Sequence, residues 1–156
     1  MTDRLAFALA LGREAGAMAH RGFGRSAATL KGRHDILTAM DAEVERFIRR
    51  SIAERFPGDA VIGEEEGGAD GERLWIIDPI DGTANFLRGV PIWGTLIALA
   101  VDGVPTVGVV SSPALGKRWW GATGHGAWAQ ETGHEPRALR VSRVAELADA
   151  SLLVTR

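Results

Sequence analysis

The apolar residues change their spacing at Pro57-Gly58-Asp59, and this change is the strongest constraint on what the chain can fold into. Before that segment they recur at helical spacing, at Val44, Phe47, Ile48, Ile52 and Phe56. After it they occur in short runs that are typical of β-strands. Because the helical spacing comes first and the runs follow without regular alternation, the sequence predicts an α+β fold with helices layered on one sheet.

Two helices are predicted before this change. The first covers residues 5–23, which are rich in alanine and leucine, and the second begins at Asp41. Pro57 disfavours helical geometry in the residue before it, so the second helix should end at Phe56. Residues 22–35 are rich in glycine, arginine and serine and show no period, which predicts a loop.

The short apolar runs predict strands at residues 60–62, 74–77, 95–101, 106–110 and 118–122. Asp102-Gly103 lies between the third and fourth runs and is a strong hairpin signal. Pro105 follows closely and predicts a connection slightly longer than two residues. The sheet should therefore be at least partly antiparallel.

The composition limits the classes of partner and metal. A chain of 156 residues with 46% hydrophobic residues can bury one core as a single domain. The net charge of -2, with both signs mixed along the chain, predicts a small soluble partner and neither nucleic acid nor an anionic membrane surface. No stretch approaches the roughly 20 apolar residues of a membrane span, so a cytoplasmic protein is expected. Without cysteine, a bound metal must have oxygen or imidazole ligands, which favours hard cations.

Two aspartates follow the predicted buried strand 74–77. Asp78 and Asp81 lie three residues apart, and Pro79 restricts the backbone between them while leaving carbonyl oxygens free to turn inward. Gly82 lets the main chain approach a ligand closely. Two carboxylates, a carbonyl and waters are the ligands of a hard-cation site.

Residues 83–87 can begin a short helix directly after these acids. The backbone N–H groups of Gly82 and Thr83 would then face outward with the positive end of the helix dipole. This arrangement predicts a phosphate cradle beside the metal.

A second group of acids, Gly63-Glu64-Glu65-Glu66-Gly67, follows the predicted strand 60–62. Runs of acids are usually solvated surface, and this interpretation holds for Glu66 and Glu72. Glu64 close to the two aspartates would instead let two divalent cations sit about 4 Å apart and clamp the attacking and leaving oxygens of an in-line displacement.

Two alternatives remain open from the residues alone. Asp41, at the start of the second helix, could join the site from a fourth direction or be a simple N-cap. Pairs spaced like Asp78 and Asp81 also occur as turn formers.

The chain contains the string Trp75-Ile76-Ile77-Asp78-Pro79-Ile80-Asp81-Gly82-Thr83-Ala84-Asn85-Phe86, preceded by Phe56-Pro57 and Ile62-Gly63-Glu64-Glu65. These segments closely resemble the inositol monophosphatase family of Mg²⁺-dependent, lithium-sensitive phosphatases. The resemblance runs from the first helix to the last residue. It implies that residues 1–156 form the N-terminal, metal- and phosphate-binding half of a layered α-β-α-β-α sugar-phosphatase fold, with two helices packed on a largely antiparallel sheet.

The same resemblance implies the roles of the site residues. Glu64 and Asp78 would hold a first Mg²⁺, or Mn²⁺, with the Ile80 carbonyl, while Asp78 and Asp81 would hold a second. Thr83 and Glu64 would orient the attacking water with Asp41 in the surrounding hydrogen-bond network. The N–H groups of Gly82 and Thr83 would bind phosphate, and no covalent intermediate is implied. Lys31 resembles a family lysine on a mobile loop, although it fits a merely basic loop equally well.

Within the family, residues 89–99 and Lys117-Arg118-Trp119-Trp120 look most like the histidinol-phosphate phosphatase branch. Trp119 and Trp120 alternate across a predicted strand, so at least one should be core packing. The four histidines, His20, His34, His125 and His134, are expected to have no role in the site, and His125 should lie in a turn.

Family members continue for about as many residues again beyond the matched part, and that second half supplies a further metal-binding aspartate and most contacts to the substrate alcohol. The expected function is therefore hydrolysis of a small phosphate monoester, inositol monophosphate or histidinol phosphate, by a protein that is a homodimer at full length. One alternative is a non-catalytic metal- and phosphate-binding half-domain that needs a partner. Another is a phosphatase of adenosine 3′,5′-bisphosphate or fructose 1,6-bisphosphate, which fits Trp93 and Trp119-Trp120 less well.

Overall fold

The computed structural model describes residues 3–25, 28–30 and 36–151, with side chains placed outside 28–30 and 36–38. The helices are α1 (Asp3–His20), α2 (Ala39–Arg55) and α3 (Thr83–Leu87), with short 3-10 helices at Pro113–Leu115 and Leu147–Asp149. The strands are β1 (Ala28–Leu30), β2 (Ile36–Thr38), β3 (Ala60–Gly63), β4 (Gly67–Gly68), β5 (Arg73–Asp81), β6 (Gly94–Val101), β7 (Val104–Ser112), β8 (Lys117–Ala122), β9 (Gly126–Glu131) and β10 (Arg137–Leu139).

Eight of these strands form one sheet in the order β10-β9-β8-β7-β6-β5-β3-β4, while β1 and β2 form a separate antiparallel pair. In the eight-stranded sheet β3 and β5 run parallel, and the other neighbours are antiparallel. The prediction of an α+β fold with a largely antiparallel sheet is confirmed. Within the described ranges, no helix combines the length and the apolar character that crossing a membrane requires.

The core lies between this sheet and the two long helices. α1 packs on β6 and β7, and α2 packs on β5. Ile48 and Ile52 of α2 and Trp75 of β5 are fully buried, as predicted. Full burial of an isoleucine side chain is worth about 1.5–3 kcal/mol, so this face holds α2 on the sheet. The prediction that all of strand 74–77 is buried is wrong at Ile76, which is 43% exposed.

Two glycines let α1 lie close to β7. A Cβ atom at Gly12 would come 3.1 Å from Val109 Cγ1, and one at Gly16 would come 2.7 Å from Ser111 Oγ. Glycine inside a helix costs about 1 kcal/mol relative to alanine. The close approach of helix and sheet explains why that cost is tolerated at Gly12 and Gly16.

Strand β5 is longer than predicted, and the extension contains the motif of interest. The predicted end at residue 77 is wrong, because β5 pairs with β6 from Arg73 to Asp81. The register shifts between Asp78 and Asp81, where Pro79 has no N–H to give to the ladder. The hydroxyl of the buried Thr95 in β6 donates to the Pro79 carbonyl at 2.8 Å. β6 therefore stabilises the part of β5 that lies beyond the predicted end at residue 77.

Several other helix and strand boundaries also differ from the predicted ones. α1 ends at His20, before the predicted residue 23, and α2 covers Ala39–Arg55. The predicted loop 22–35 is wrong in part, because β1 lies inside it and pairs with β2. Strands β4, β9 and β10 were not predicted. Two- and three-residue strands such as β4 and β10 are too short to show a period, and pairing with a neighbour defines them.

The hairpin at Asp102-Gly103 is confirmed, but its predicted length is wrong. Val101 pairs directly with Val104, so the connection has two residues, and both have positive φ, 49° and 75°. This geometry is that of the hairpin turn that Asp-Gly favours. Pro105 is accommodated one step later, by a register shift between Leu99 and Ala100.

The aromatic and histidine predictions have separate outcomes. Trp120 packs against the core, which confirms the prediction that at least one of Trp119 and Trp120 is a core residue. His125 lies in a turn, as predicted, whereas His34 lies outside the described residues. The exposed His20 stacks on Phe23, with ring centres 5.6 Å apart.

An ion-pair network around one buried carboxylate lies at the other end of β3 and β5. Asp59 lies at the turn after α2, and its side chain is 3% exposed. Its carboxylate accepts hydrogen bonds from Arg4 of α1 at 3.1 Å, from Arg73 at 3.0 Å and from the Trp75 indole at 3.0 Å. The network ties α1 to the start of β5.

Candidate active site

Glu64 and Asp78 meet at one end of the sheet because of the parallel register of β3 and β5. Gly63 pairs with Ile77, so the next residue of each strand is an acid. The carboxyl ends of parallel strands lie at the same edge of a sheet, and the two side chains there are within hydrogen-bonding reach. The structure therefore brings together the two residues predicted to hold the first metal.

The electrostatics of Asp78 are unfavourable for a free carboxylate. Burial raises the pKa of Asp78 to about 8, and the charge of Glu64, a hydrogen bond with Glu64 and the charge of Asp81 add to that rise. A backbone hydrogen bond at Ile80 acts in the opposite direction. Asp78 Oδ1 is buried and has no hydrogen-bond partner among the described residues. Ionised Asp78 thus lacks the compensation that a buried charge needs.

The segment that follows Asp78 is held in a defined shape. Asp81 is exposed at the end of β5, and the Thr83 hydroxyl donates to the Ile80 carbonyl at 3.0 Å. Gly82 has a φ of 87° and precedes α3, whose predicted position is confirmed. A Cβ atom at Gly82 would lie 3.1 Å from the Ile92 carbonyl oxygen, which makes glycine the fitting residue there.

Asp41 and Lys31 are the remaining predicted residues. Asp41 is the third residue of α2 and is 2% exposed, so the interpretation as an N-cap is wrong. The helix begins two residues earlier than the sequence suggested. The place of Asp41 in a water network stays a prediction. Lys31 lies outside the described residues.

The oxygen atoms at this candidate site are of the type that binds a hard cation. Among the residues that the structure describes, no group of three or more aspartate, glutamate or histidine side chains is arranged to hold a metal ion. The contacting pair is Glu64 and Asp78, and Asp81 is a further nearby charge that acts on Asp78. The unpartnered Oδ1 of Asp78 and the all-oxygen character of the pair suit Mg²⁺ or Mn²⁺.

Glu45 is a residue of this region that sequence reasoning missed. It is fully buried in α2, and its carboxylate accepts hydrogen bonds from the backbone N–H groups of Glu65 and Glu66, at 2.9 and 3.0 Å. Arg49, one turn further along α2, donates to it at 2.9 and 2.7 Å. A signal was present, because Glu45 lies three residues before Ile48 and therefore on the apolar face of α2.

A cavity of about 380 Å³ lies elsewhere, between α1 and strands β8 and β9. Arg13, Lys117 and Glu131 are among the residues that line it, and the predicted site residues are not. The convergence of acids, rather than the size of a cavity, identifies the site.

The family model that matches this sequence is described as the inositol monophosphatase family and covers residues 1–156. The chain is 49% identical over 154 residues to the histidinol-phosphatase of Mycobacterium tuberculosis, in a match covering 96% of this chain and 59% of that protein. It is 37% identical over 159 residues to the histidinol-phosphatase of Chlorobaculum parvum, covering 99% of this chain and 60% of that protein.

A solved structure gives the same result. Thermotoga maritima IMPase matches with a TM-score of 0.84 and 37% sequence identity, over 92% of this chain and 56% of that chain. The chain thus spans less than two thirds of the length of these relatives. The resemblance to the histidinol-phosphatase branch, and to the N-terminal part of such proteins, is confirmed. The family model, the relatives and the fold show that the chain belongs to the inositol monophosphatase family.

Proposed function

We propose that the protein is a Mg²⁺-dependent phosphoric monoester hydrolase, for which Mn²⁺ can replace Mg²⁺. The observation that supports this function is the contact between Glu64 and Asp78, with an unpartnered buried oxygen, at the end of two parallel strands. The names of the relatives, histidinol-phosphatase and IMPase, support the same reaction class.

We propose that Glu64, Asp78 and the Ile80 carbonyl hold one cation and that Asp78 and Asp81 hold the second. Bound cations of this kind polarise the phosphate, lower the pKa of water and stabilise the leaving oxygen. Burial and the neighbouring acids raise the pKa of Asp78, and a bound cation would offset both effects and keep its carboxylate ionised.

The remaining residues of the motif act on the substrate and the water. Thr83 and Glu64 orient the attacking water, and Asp41 belongs to its hydrogen-bond network. The backbone N–H groups of Gly82 and Thr83, at the first turn of α3, bind the phosphate oxygens. Hydrolysis is direct, without a covalent intermediate on the protein.

We propose histidinol phosphate as the first substrate to test, because two of the relatives reported above are histidinol-phosphatases. Inositol monophosphate is the second candidate, supported by the match to Thermotoga maritima IMPase. We also propose lithium sensitivity, which the family resemblance implies, together with a cytoplasmic location and a homodimer at full length.

Residues 1–156 would supply the metal- and phosphate-binding half of such an enzyme. A metal- and phosphate-binding half-domain without turnover is the alternative that an experiment must distinguish from the enzyme. A chain of this kind would bind Mn²⁺ and inorganic phosphate but release no phosphate from any ester.

A phosphate-release assay separates these functions. The protein from its complete gene is incubated with histidinol phosphate, inositol 1-phosphate or fructose 1,6-bisphosphate, each with Mg²⁺, with Mn²⁺, with EDTA, and with Mg²⁺ plus Li⁺. The proposal predicts metal-dependent release from a monoester and inhibition by Li⁺. Release that is unchanged in EDTA would contradict it.

A further inference from the structure

We propose that Glu45, together with Arg49, is a positioning residue for the site: it holds the turn Glu64-Glu65-Glu66 so that the Glu64 carboxylate faces Asp78. This role rests on the proposed function of Glu64 as a metal ligand. Neither residue was among the predicted site residues, and both belong to α2 rather than to the sheet.

The Glu45 carboxylate binds the turn through two backbone N–H groups. Its Oε2 accepts the N–H of Glu65 at 2.9 Å, and its Oε1 accepts the N–H of Glu66 at 3.0 Å. These two groups directly follow Glu64 in the chain. The Glu45 side chain is itself fully buried, so the backbone of the turn is bound to an internal anchor and not to solvent.

Arg49 completes this anchor and links the turn to both of its flanking strands. Its guanidinium donates to Glu45 Oε1 at 2.7 Å, to the Val61 carbonyl of β3 at 3.4 Å, and to the Gly67 carbonyl of β4. It also lies 3.7 Å from the Glu66 carboxylate. The buried negative charge is thereby paired, and one side chain contacts the strands on both sides of the turn.

The shape of the chain at Gly63 fits the same arrangement. A Cβ atom at Gly63 would lie 2.3 Å from Glu45 Oε1, closer than real atoms approach. Glu45 therefore occupies the space that a side chain at position 63 would need. Only a residue without a side chain, such as Gly63, fits beside the Glu45 carboxylate at this position.

The arrangement has a consequence for the site because the turn would otherwise be pushed open. Glu64, Glu65 and Glu66 carry like charges in sequence, and Glu64 faces the further acid Asp78. Like charges at short range repel one another, so the adjacent carboxylates of Glu64, Glu65 and Glu66 disfavour a compact turn that is not anchored. A buried ion pair such as Glu45 with Arg49 adds little to stability by itself. Its role in positioning Glu64 is therefore the one to test.

The test compares Glu45→Gln with a matched control, Asp59→Asn. Both substitutions remove a buried carboxylate that is paired with arginine. Asp59 directly precedes β3 and Glu64 directly follows it, so the whole of that four-residue strand, roughly 13 Å long, lies between them. Mn²⁺ affinity by calorimetry, thermal unfolding in EDTA, and kcat and KM for phosphate release are measured on the protein from its complete gene.

Both variants should unfold at a lower temperature, but only Glu45→Gln should lose metal affinity, by about 10- to 100-fold. Its kcat at low Mg²⁺ should fall in parallel, with partial recovery at high Mg²⁺ and little change in the KM for substrate. If Glu45→Gln does not fold, Arg49→Lys and its control Arg73→Lys give the same comparison.

Three results would overturn the inference. A Glu45→Gln variant that binds Mn²⁺ as tightly as the wild type would overturn it alone and leave the proposed function standing. Equal losses of Mn²⁺ affinity in Glu45→Gln and Asp59→Asn would show that both act only through general stability. A wild-type protein that binds no Mn²⁺ would overturn the proposed function, and this role of Glu45 with it.

Discussion

The Thr83 hydroxyl donates a hydrogen bond to the Ile80 carbonyl oxygen over 3.0 Å. The bond joins the residue proposed to orient the attacking water to a backbone oxygen proposed to hold the cation. It spans the turn at Gly82, so the hydroxyl position is fixed by the main chain at the end of β5. Water and cation would therefore be positioned by the same short segment.

Thr83→Ala should lower kcat by about 100-fold or more, with a much smaller effect on phosphate affinity. The backbone N–H groups that bind phosphate survive, whereas the hydroxyl is lost. Steady-state kinetics and inhibition by inorganic phosphate measure the two effects. Thr83→Ser keeps the hydroxyl and should retain most of the rate, and a selective loss of phosphate binding in Thr83→Ala would contradict the proposed role.

Asp81→Asn should abolish most activity while leaving the thermal unfolding temperature nearly unchanged. Asp81 is exposed at the end of β5, so the substitution removes a proposed ligand of the second cation without opening the core. Glu72→Gln, an exposed acid that pairs with Arg73 at the surface, is the control and should have normal activity. Near-normal turnover of Asp81→Asn with Mg²⁺ would rule out the two-metal assignment.

In EDTA, the protein should become less stable as the pH rises from about 5 to about 8.5. Aspartate has a pKa of about 3.9 when unperturbed, and burial with two neighbouring acids raises the pKa of Asp78 to about 8. A group with a raised folded-state pKa contributes stability that is fully present below its unfolded pKa and is lost as the pH passes through the folded one. The unfolding temperature, measured across this range, should fall less in Asp78→Asn than in the wild type. An equal slope in both proteins would contradict the prediction.

Gly82→Ala should lower both stability and activity. The residue has a φ of 87°, a conformation that costs other residues about 1–2 kcal/mol, and the new Cβ would meet the Ile92 carbonyl at 3.1 Å. Gly89→Ala is the matched control, because Gly89 has a φ of 71° and no atom lies within 4 Å of the point where its Cβ would be. Both variants should unfold at a lower temperature, and only Gly82→Ala should lose phosphate affinity. Equal effects on phosphate affinity would show that Gly82 has no special role.

The features that depend on neighbouring residues along the chain were predictable from local patterns. Pro57 predicts the end of α2 to within one residue, because it restricts the residue before it. Helical spacing identifies the buried face with Ile48 and Ile52, and Asp102-Gly103 predicts the hairpin. The short helix after Gly82 also follows from local signals.

The tertiary structure decided which distant residues meet. The contact of Glu64 with Asp78 follows from the register of β3 on β5, which pairs Gly63 with Ile77 and which no local pattern specifies. Glu45 resembles any surface glutamate of a helix until the turn that it binds is placed over it. Spacing along a chain reports which side of an element is apolar, whereas the partner of a buried charge is set by packing between elements that are far apart in sequence.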